Sequence, residues 1–211
     1  MTGCWTYKPQ LADIPLINHK GDIRAAGSLY LLPVTGLDAT LSAGLTDHLA
    51  MQLHIDNEGE VFYSHLALGY YKTYESSVLE IYLGAGRGHG DVYIDTDPAY
   101  AKGPYLCYFE QTNYGWHLNA HSDIGFAVKT GVMFPYFKGK QPAFINGEET
   151  SETVFSPHSS WLLEPQLFYR IGGERIKFQI QLGYCYLNKL PLYGVLRYIP
   201  FSLSTGISIN L

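Results

Sequence analysis

The chain has 211 residues, 46% of them hydrophobic and 15% aromatic, and its character does not change along its length, so it reads as a single domain. A mean hydropathy of −0.05 means that polar residues dilute the apolar ones evenly, which excludes the apolar run of about 18 residues or more that a membrane helix needs. A net charge of −5 excludes the basic surface that holds nucleic acid. Three cysteines, Cys4, Cys107 and Cys185, are too few and too scattered for a disulfide framework and lack zinc-ribbon spacing. Tyrosine-rich, glycine-rich composition points to a β-barrel with tight turns, and a soluble β-sandwich competes for the same composition.

Alternation of apolar with polar or small residues, the mark of a strand with two unlike faces, predicts strands over 22–32, 36–45, 49–55, 61–71, 77–86 and 104–118. In the last of these Glu110 falls on the lipid-facing parity, so that strand is expected to start later or to carry a bulge. Strands over 124–136 and 161–171 follow, with Pro135 and Pro165 inside them; a missing N–H places each proline at a bulge or near a rim. The strand over 176–186 turns Ile176, Phe178, Ile180 and Leu182 one way and Lys177, Gln179 and Gln181 the other. The closing strand, 199–211, alternates Phe201, Leu203, Ile207, Ile209 and Leu211 with Ser202, Ser204, Gly206, Ser208 and Asn210. The fold expected is therefore all-β: a closed antiparallel transmembrane β-barrel of about ten strands, with eight as the alternative count.

Connection lengths were not used to place those strands, and they sort by side. The connections 46–48, 72–76, 119–122 and 172–174 are short, whereas 87–103 and 138–159 are long and 189–198 is intermediate. Short turns on one side and long loops on the other are the asymmetry of membrane barrels, and the asymmetry predicts both termini at the short-turn, periplasmic end. Each strand is also long enough to cross a bilayer at a tilt, for which about nine to eleven residues are needed. Closure is then obligatory, because an open edge in hydrocarbon leaves peptide groups unpaired at a cost of several kcal/mol each. Tyr70 with Tyr71, Tyr114 with Trp116, Tyr136 with Phe137 and Tyr184 with Tyr186 gather near strand ends, as interfacial girdles do.

Several segments taken together resemble the small outer-membrane β-barrel proteins of Gram-negative bacteria, including those with a lipobox cysteine. They are the start Thr2-Gly3-Cys4, the proline-containing leader from Pro9 to Pro15, the opening hairpin from Lys20-Gly21 through Gly36-Leu37 to Asp47-His48, and the closing strand from Phe201 to Leu211. The chain ends in Leu211, where such barrels usually end in an aromatic residue. The resemblance implies a periplasmic leader over 1–21, lipidated at Cys4, and an outer-membrane barrel over 22–211. It implies contact with outer-membrane lipid and other outer-membrane proteins, and no specific activity.

Alternation directs Arg24, Asp38, His54, His65, Glu80, Lys129, Glu164, Arg170 and Lys177 into the lumen, with Gln52, Gln166, Gln179 and Gln181 among them. Mixed acids and bases there can neutralise and hydrogen-bond one another, so a structural polar core is favoured over a conducting pore. A lipid-modifying enzyme is the catalytic alternative, with His121-Ser122 and His158-Ser159-Ser160 as its candidates. Neither shows the spacing or the third orienting group of an activated nucleophile. Asp91, Asp95 and Asp97 lack the spacing of a calcium loop. The alternating Gly84, Gly86, Gly88 and Gly90 lack the following helix of a phosphate loop and read as a flexible rim. No cofactor or metal is expected. The two long loops carry apolar and aromatic residues, among them Tyr93, Tyr100, Phe144 and Phe155, that suit contact with a partner. The function expected is that of a non-catalytic structural or accessory subunit of a larger outer-membrane complex, with a lipid-modifying enzyme or a small-solute channel as alternatives.

Overall fold

The computed structural model describes Tyr7 and residues 12–32, 36–58, 61–93, 100–145, 148–155, 159–188 and 200–211. All of its regular structure is β. Strands β1 (Ile23–Leu32), β2 (Leu37–Gly44), β3 (Leu49–Glu58), β4 (Val61–Thr73), β5 (Ser77–Tyr93), β6 (Tyr100–Asn119) and β7 (Ser122–Pro135) pair antiparallel in chain order. A hairpin, β8 (Lys138–Ile145) with β9 (Glu148–Phe155), follows. Then β10 (Ser160–Gly172) pairs with β7, and β11 (Ile176–Tyr184) pairs with β10. A short β12 (Tyr186–Asn188) continues along β10, and β13 (Phe201–Asn210) joins β11 to β1. The last pairing closes the ring, as in Ala25 opposite Ile209 and Gly27 opposite Ile207. The result is the expected ten-stranded closed antiparallel barrel. Every strand of such a ring has two neighbours, so no edge of the wall leaves its peptide groups unpaired.

The wall has inverted polarity. Outward residues are apolar and open, as in Leu83 at 67% exposure and Phe178 at 62%, whereas inward Glu80, Lys129 and Arg170 are fully buried. On β6 the outward face runs from Trp116 up to Leu106, which is paired with the exposed Arg87, ten residues away. At about 3.3 Å per residue and a tilt of about 40° this is a band roughly 25 Å tall, the height of the lipid-facing belt of membrane barrels.

Four local expectations need correction. The long loop expected over 87–103 is largely strand, because β5 and β6 stay paired up to Tyr93 opposite Tyr100. The loop expected over 138–159 is mainly the β8–β9 hairpin, and β8 pairs with the upper end of β6. Glu110 causes neither a late start nor a bulge: it sits in regular register between Leu83 and Thr130. Its carboxylate faces outward and accepts hydrogen bonds from Thr112 and Thr130, which partner it without help from the lumen. Pro165 lies in unbroken register opposite Val128, and on its other side the ladder lapses at Cys185, between β11 and β12. A proline brings no N–H to its neighbour, so a local lapse replaces the expected bulge. Pro135, by contrast, ends β7 as expected of a proline near a rim.

Candidate functional site

The lumen is occupied by the chain's own N-terminal segment. Expected outside the barrel at its short-turn face, Ala12, Asp13, Ile14, Pro15, Leu16 and Ile17 are instead buried within it. This segment forms no strand, so its peptide groups must find partners among wall side chains or bear the cost of burial unpaired. Glutamine supplies both a donor and an acceptor, and the wall uses four of them. The Ala12 N–H donates to Gln166 Oε1 at 2.6 Å, and the Ala12 carbonyl accepts from Gln181 Nε2 at 3.3 Å. The Asp13 carbonyl accepts from both Gln52 Nε2 at 3.1 Å and Gln111 Nε2 at 3.0 Å. Strands β3, β6, β10 and β11 thus converge on two consecutive residues.

Asp13 adds charge to this grip. One carboxylate oxygen accepts from Ser42 Oγ at 3.0 Å, and the other lies 3.8 Å from the Arg170 guanidinium. Arg170 is held in turn by Gln179, which donates to Ser28. The gap left beside Asp13, lined by Ala26, Ser28, Asp38, Thr40, Gln179 and Gln181, has no room for a water molecule.

Below Asp13 the segment is held by packing and by one left-handed residue. Ile14 and Leu16 join Val78, Ala127 and Phe168 in an apolar cluster. Leu16 has φ +55°, a conformation that costs a side-chain-bearing residue about 1–2 kcal/mol. The Ile17 N–H that follows donates to Glu80 Oε1 at 2.8 Å, and Glu80 Oε2 accepts from Asn113 Nδ2 at 3.0 Å. At the short-turn rim the Asn18 carbonyl accepts from Thr73 Oγ1, and Asn18 Oδ1 lies 3.4 Å from His117 Nε2. Asp123 there lies 2.8 Å from His117 Nδ1 and 2.9 Å from the Lys177 ammonium.

Above Asp13 the lumen is filled with rings. The Tyr7 hydroxyl donates to Glu164 Oε1 at 3.0 Å, and its ring meets Tyr105 edge-on at 5.7 Å. Tyr63 stacks on Tyr105 at 6.0 Å, and His54 on His65 at 4.9 Å. Lys129 stands opposite Glu164 across the strand pair, its ammonium 4.3 Å from the Phe109 ring centre and 5.2 Å from that of Tyr63. This is cation–π geometry with a carboxylate at hand. Cys107 and Cys185 are free thiols buried in the same layer.

Of the lumen residues expected from sequence, Arg24, Asp38, His54, His65, Glu80, Lys129, Glu164 and Arg170 are all buried on the inner face, and Lys177 lies half-buried at the short-turn rim. Sequence reasoning missed Asp56, Gln111, Asn113 and Asp123, whose buried inward positions follow from the same alternation. It also missed Asp13, for which no periodic signal exists. Of the enzymatic candidates, exposed His121 contacts the Gly172 carbonyl, and Ser122 and Ser160 are buried. Cys4, Asp95, Asp97 and His158 lie outside the described residues, as do the side chains of Tyr93, Tyr100, Phe144 and Phe155. In backbone terms the last four belong to paired strands, Tyr93 with Tyr100 and Phe144 and Phe155 in the β8–β9 hairpin.

The fold and its filling define a class: a plugged ten-stranded barrel, apolar outside and polar within. No protein-family model matches the chain, and no curated protein matches it. Among solved structures it is similar to a chain titled "Bacterial polysaccharide outer membrane secretin", at 9% identity over 92% of this chain and 99% of that one, with a TM-score of 0.29.

Proposed function

We propose that the chain is an integral outer-membrane β-barrel lipoprotein of a Gram-negative bacterium, acylated at Cys4, that acts as a non-catalytic structural or accessory subunit of a larger outer-membrane assembly. The apolar belt of roughly 25 Å supports membrane insertion. The observation that carries the rest is the grip of Gln52, Gln111, Gln166 and Gln181 on the backbone of Ala12 and Asp13. A barrel that spends four wall side chains on holding its own leader is built to stay closed, which favours a scaffold over a conduit. The Thr2-Gly3-Cys4 start supports acylation.

Expression with a signal sequence tests insertion: the protein should fractionate with the outer membrane and migrate differently in gels before and after boiling. Recovery as a soluble periplasmic protein overturns the membrane reading. Mass spectrometry of the native N-terminus should find a diacylglycerol-modified cysteine, and an unmodified Cys4 removes the lipoprotein assignment. Purified barrel should give no single-channel conductance and leave lipid A unmodified, and partners should co-purify in mild detergent. Conductance or lipid A modification overturns the scaffold role.

A further inference from the structure

Glu110 is the one charged residue on the outward face of β6 between Trp116 and Leu106. It stands six residues from Trp116 and four from Leu106, which at about 3.3 Å per residue and a tilt of about 40° sets it roughly 10 Å below the upper edge of the apolar belt. Its carboxylate is held against the wall, because one oxygen accepts from Thr112 on the same strand and the other from Thr130 on β7. Around it stand Leu83, Tyr108 and Trp161, each more than half exposed. They border a shallow depression of about 380 Å³, lined between them by Glu110, Thr130, Gly84 and Gly131.

The threonines do not balance this carboxylate. It has about four acceptor sites, and two neutral hydroxyls fill two of them without supplying positive charge. The wall has little more to give, because a closed ladder uses its own backbone N–H groups. An outward hydroxyl escapes that limit by donating to a wall carbonyl, as Thr205 does to Gln179, whereas a carboxylate can only accept. Among the described residues no cation forms an ion pair with Glu110. We infer that Glu110 and the depression beside it receive a basic side chain, arginine or lysine, from the lipid-facing surface of a different outer-membrane protein. Charge complementarity selects the base, since ionisable groups at such depth are stabilised by a charged or hydrogen-bonding partner. The exposed rings of Tyr108 and Trp161 alongside suit the approach of a cation to a π face. A second copy of this chain does not supply the base. Two copies upright in one membrane meet at equal heights, and the outward cation next along this face, Arg87, is level with Leu106, about 10 Å above Glu110. This contact rests on the outer-membrane reading above, because only a wall that meets lipid makes an uncompensated carboxylate unfavourable there, and it gives the proposed assembly an interface inside the belt.

Photo-crosslinking in the cells that make the protein tests the contact. Benzoylphenylalanine replacing Leu83 or Trp161 should give an adduct with one other protein, and the joined peptide should carry an arginine or lysine. The same probe replacing Leu29 on β1, across the ring from β6, should give none. Glu110→Gln keeps the shape and removes the charge, so it should lower the yield at least tenfold while gel migration before and after boiling stays that of the folded barrel. Replacing the partner's base by glutamine should lower the yield as much, and combining the two changes should lower it no further. An adduct equally strong in Glu110→Gln, independent losses from the two changes, or a joined peptide without a base overturns the inference. So does an adduct the size of two copies of this chain, or no adduct above the level at Leu29. A charge-dependent adduct from protein recovered in the soluble fraction leaves the contact standing and removes only the membrane reading.

Discussion

Tyr105 covers Gly88 on the inner wall, so closely that a methyl group on Gly88 would overlap the phenol ring. Tyr63 covers Gly86 and Phe109 covers Gly84 in the same way. The alternating glycines of β5, expected to form a flexible rim, are instead a groove in a regular strand that seats three aromatic rings. Ring on glycine recovers the packing that a glycine strand lacks, and it leaves room for three large side chains in a narrow lumen. Gly88→Ala should destabilise the barrel by about 1–3 kcal/mol through overpacking. Adding Tyr105→Ala should recover part of that loss, because the two positions share one contact. Denaturant unfolding of the four proteins of this cycle in detergent gives the coupling, and strict additivity would show that the contact is unimportant.

The wall glutamines should act on the leader before they act on the barrel. Gln111→Leu removes one donor to the Asp13 carbonyl and the bond to Asn113, a loss of about 1–3 kcal/mol. Hydrogen exchange at Ala12 to Ile17 should speed up while exchange in the β1–β13 ladder stays unchanged. Equal acceleration in both would show that leader and wall open as one unit.

Glu110 separates the wall from what surrounds it. On an outer face that meets lipid, as proposed above, a carboxylate is unfavourable, so Glu110→Leu should leave stability in lipid vesicles unchanged or raise it by up to about 2 kcal/mol. Replacing both Thr112 and Thr130 by valine strips the carboxylate of its donors and should cost about 1–3 kcal/mol. If Glu110→Leu proves as damaging as the threonine pair, the carboxylate braces the wall itself.

The partner contact expected from the sequence falls on the long hairpins, which carry Tyr93, Tyr100, Phe144 and Phe155. Deleting residues 141–153 takes most of the β8–β9 hairpin and leaves all ten wall strands. Co-purification of at least one envelope protein should be lost. Retention of every partner would sink the docking role of this hairpin.

Period-two alternation by itself determined the ten strands, the inner and outer faces, and the side of each connection. It could do so because a wall with an apolar outer face and a polar lumen sorts each residue by parity, as with Leu83 outward and Glu80 inward. Twelve of the thirteen expected lumen residues are buried for that reason. Parity says nothing about a segment that is not a strand. The leader from Ala12 to Ile17 has no period to read, and its place depends on side chains from β3, β5, β6, β10 and β11 that are distant in sequence and meet only after the ring closes. Alternation also could not distinguish a glycine that loosens a strand from one that seats a ring, because Phe109, Tyr63 and Tyr105 come to Gly84, Gly86 and Gly88 from neighbouring strands. The outer surface of this protein was therefore written in local pattern, whereas its filled interior was decided by closure, which alone brings donors and acceptors from five strands to one unpaired stretch of backbone.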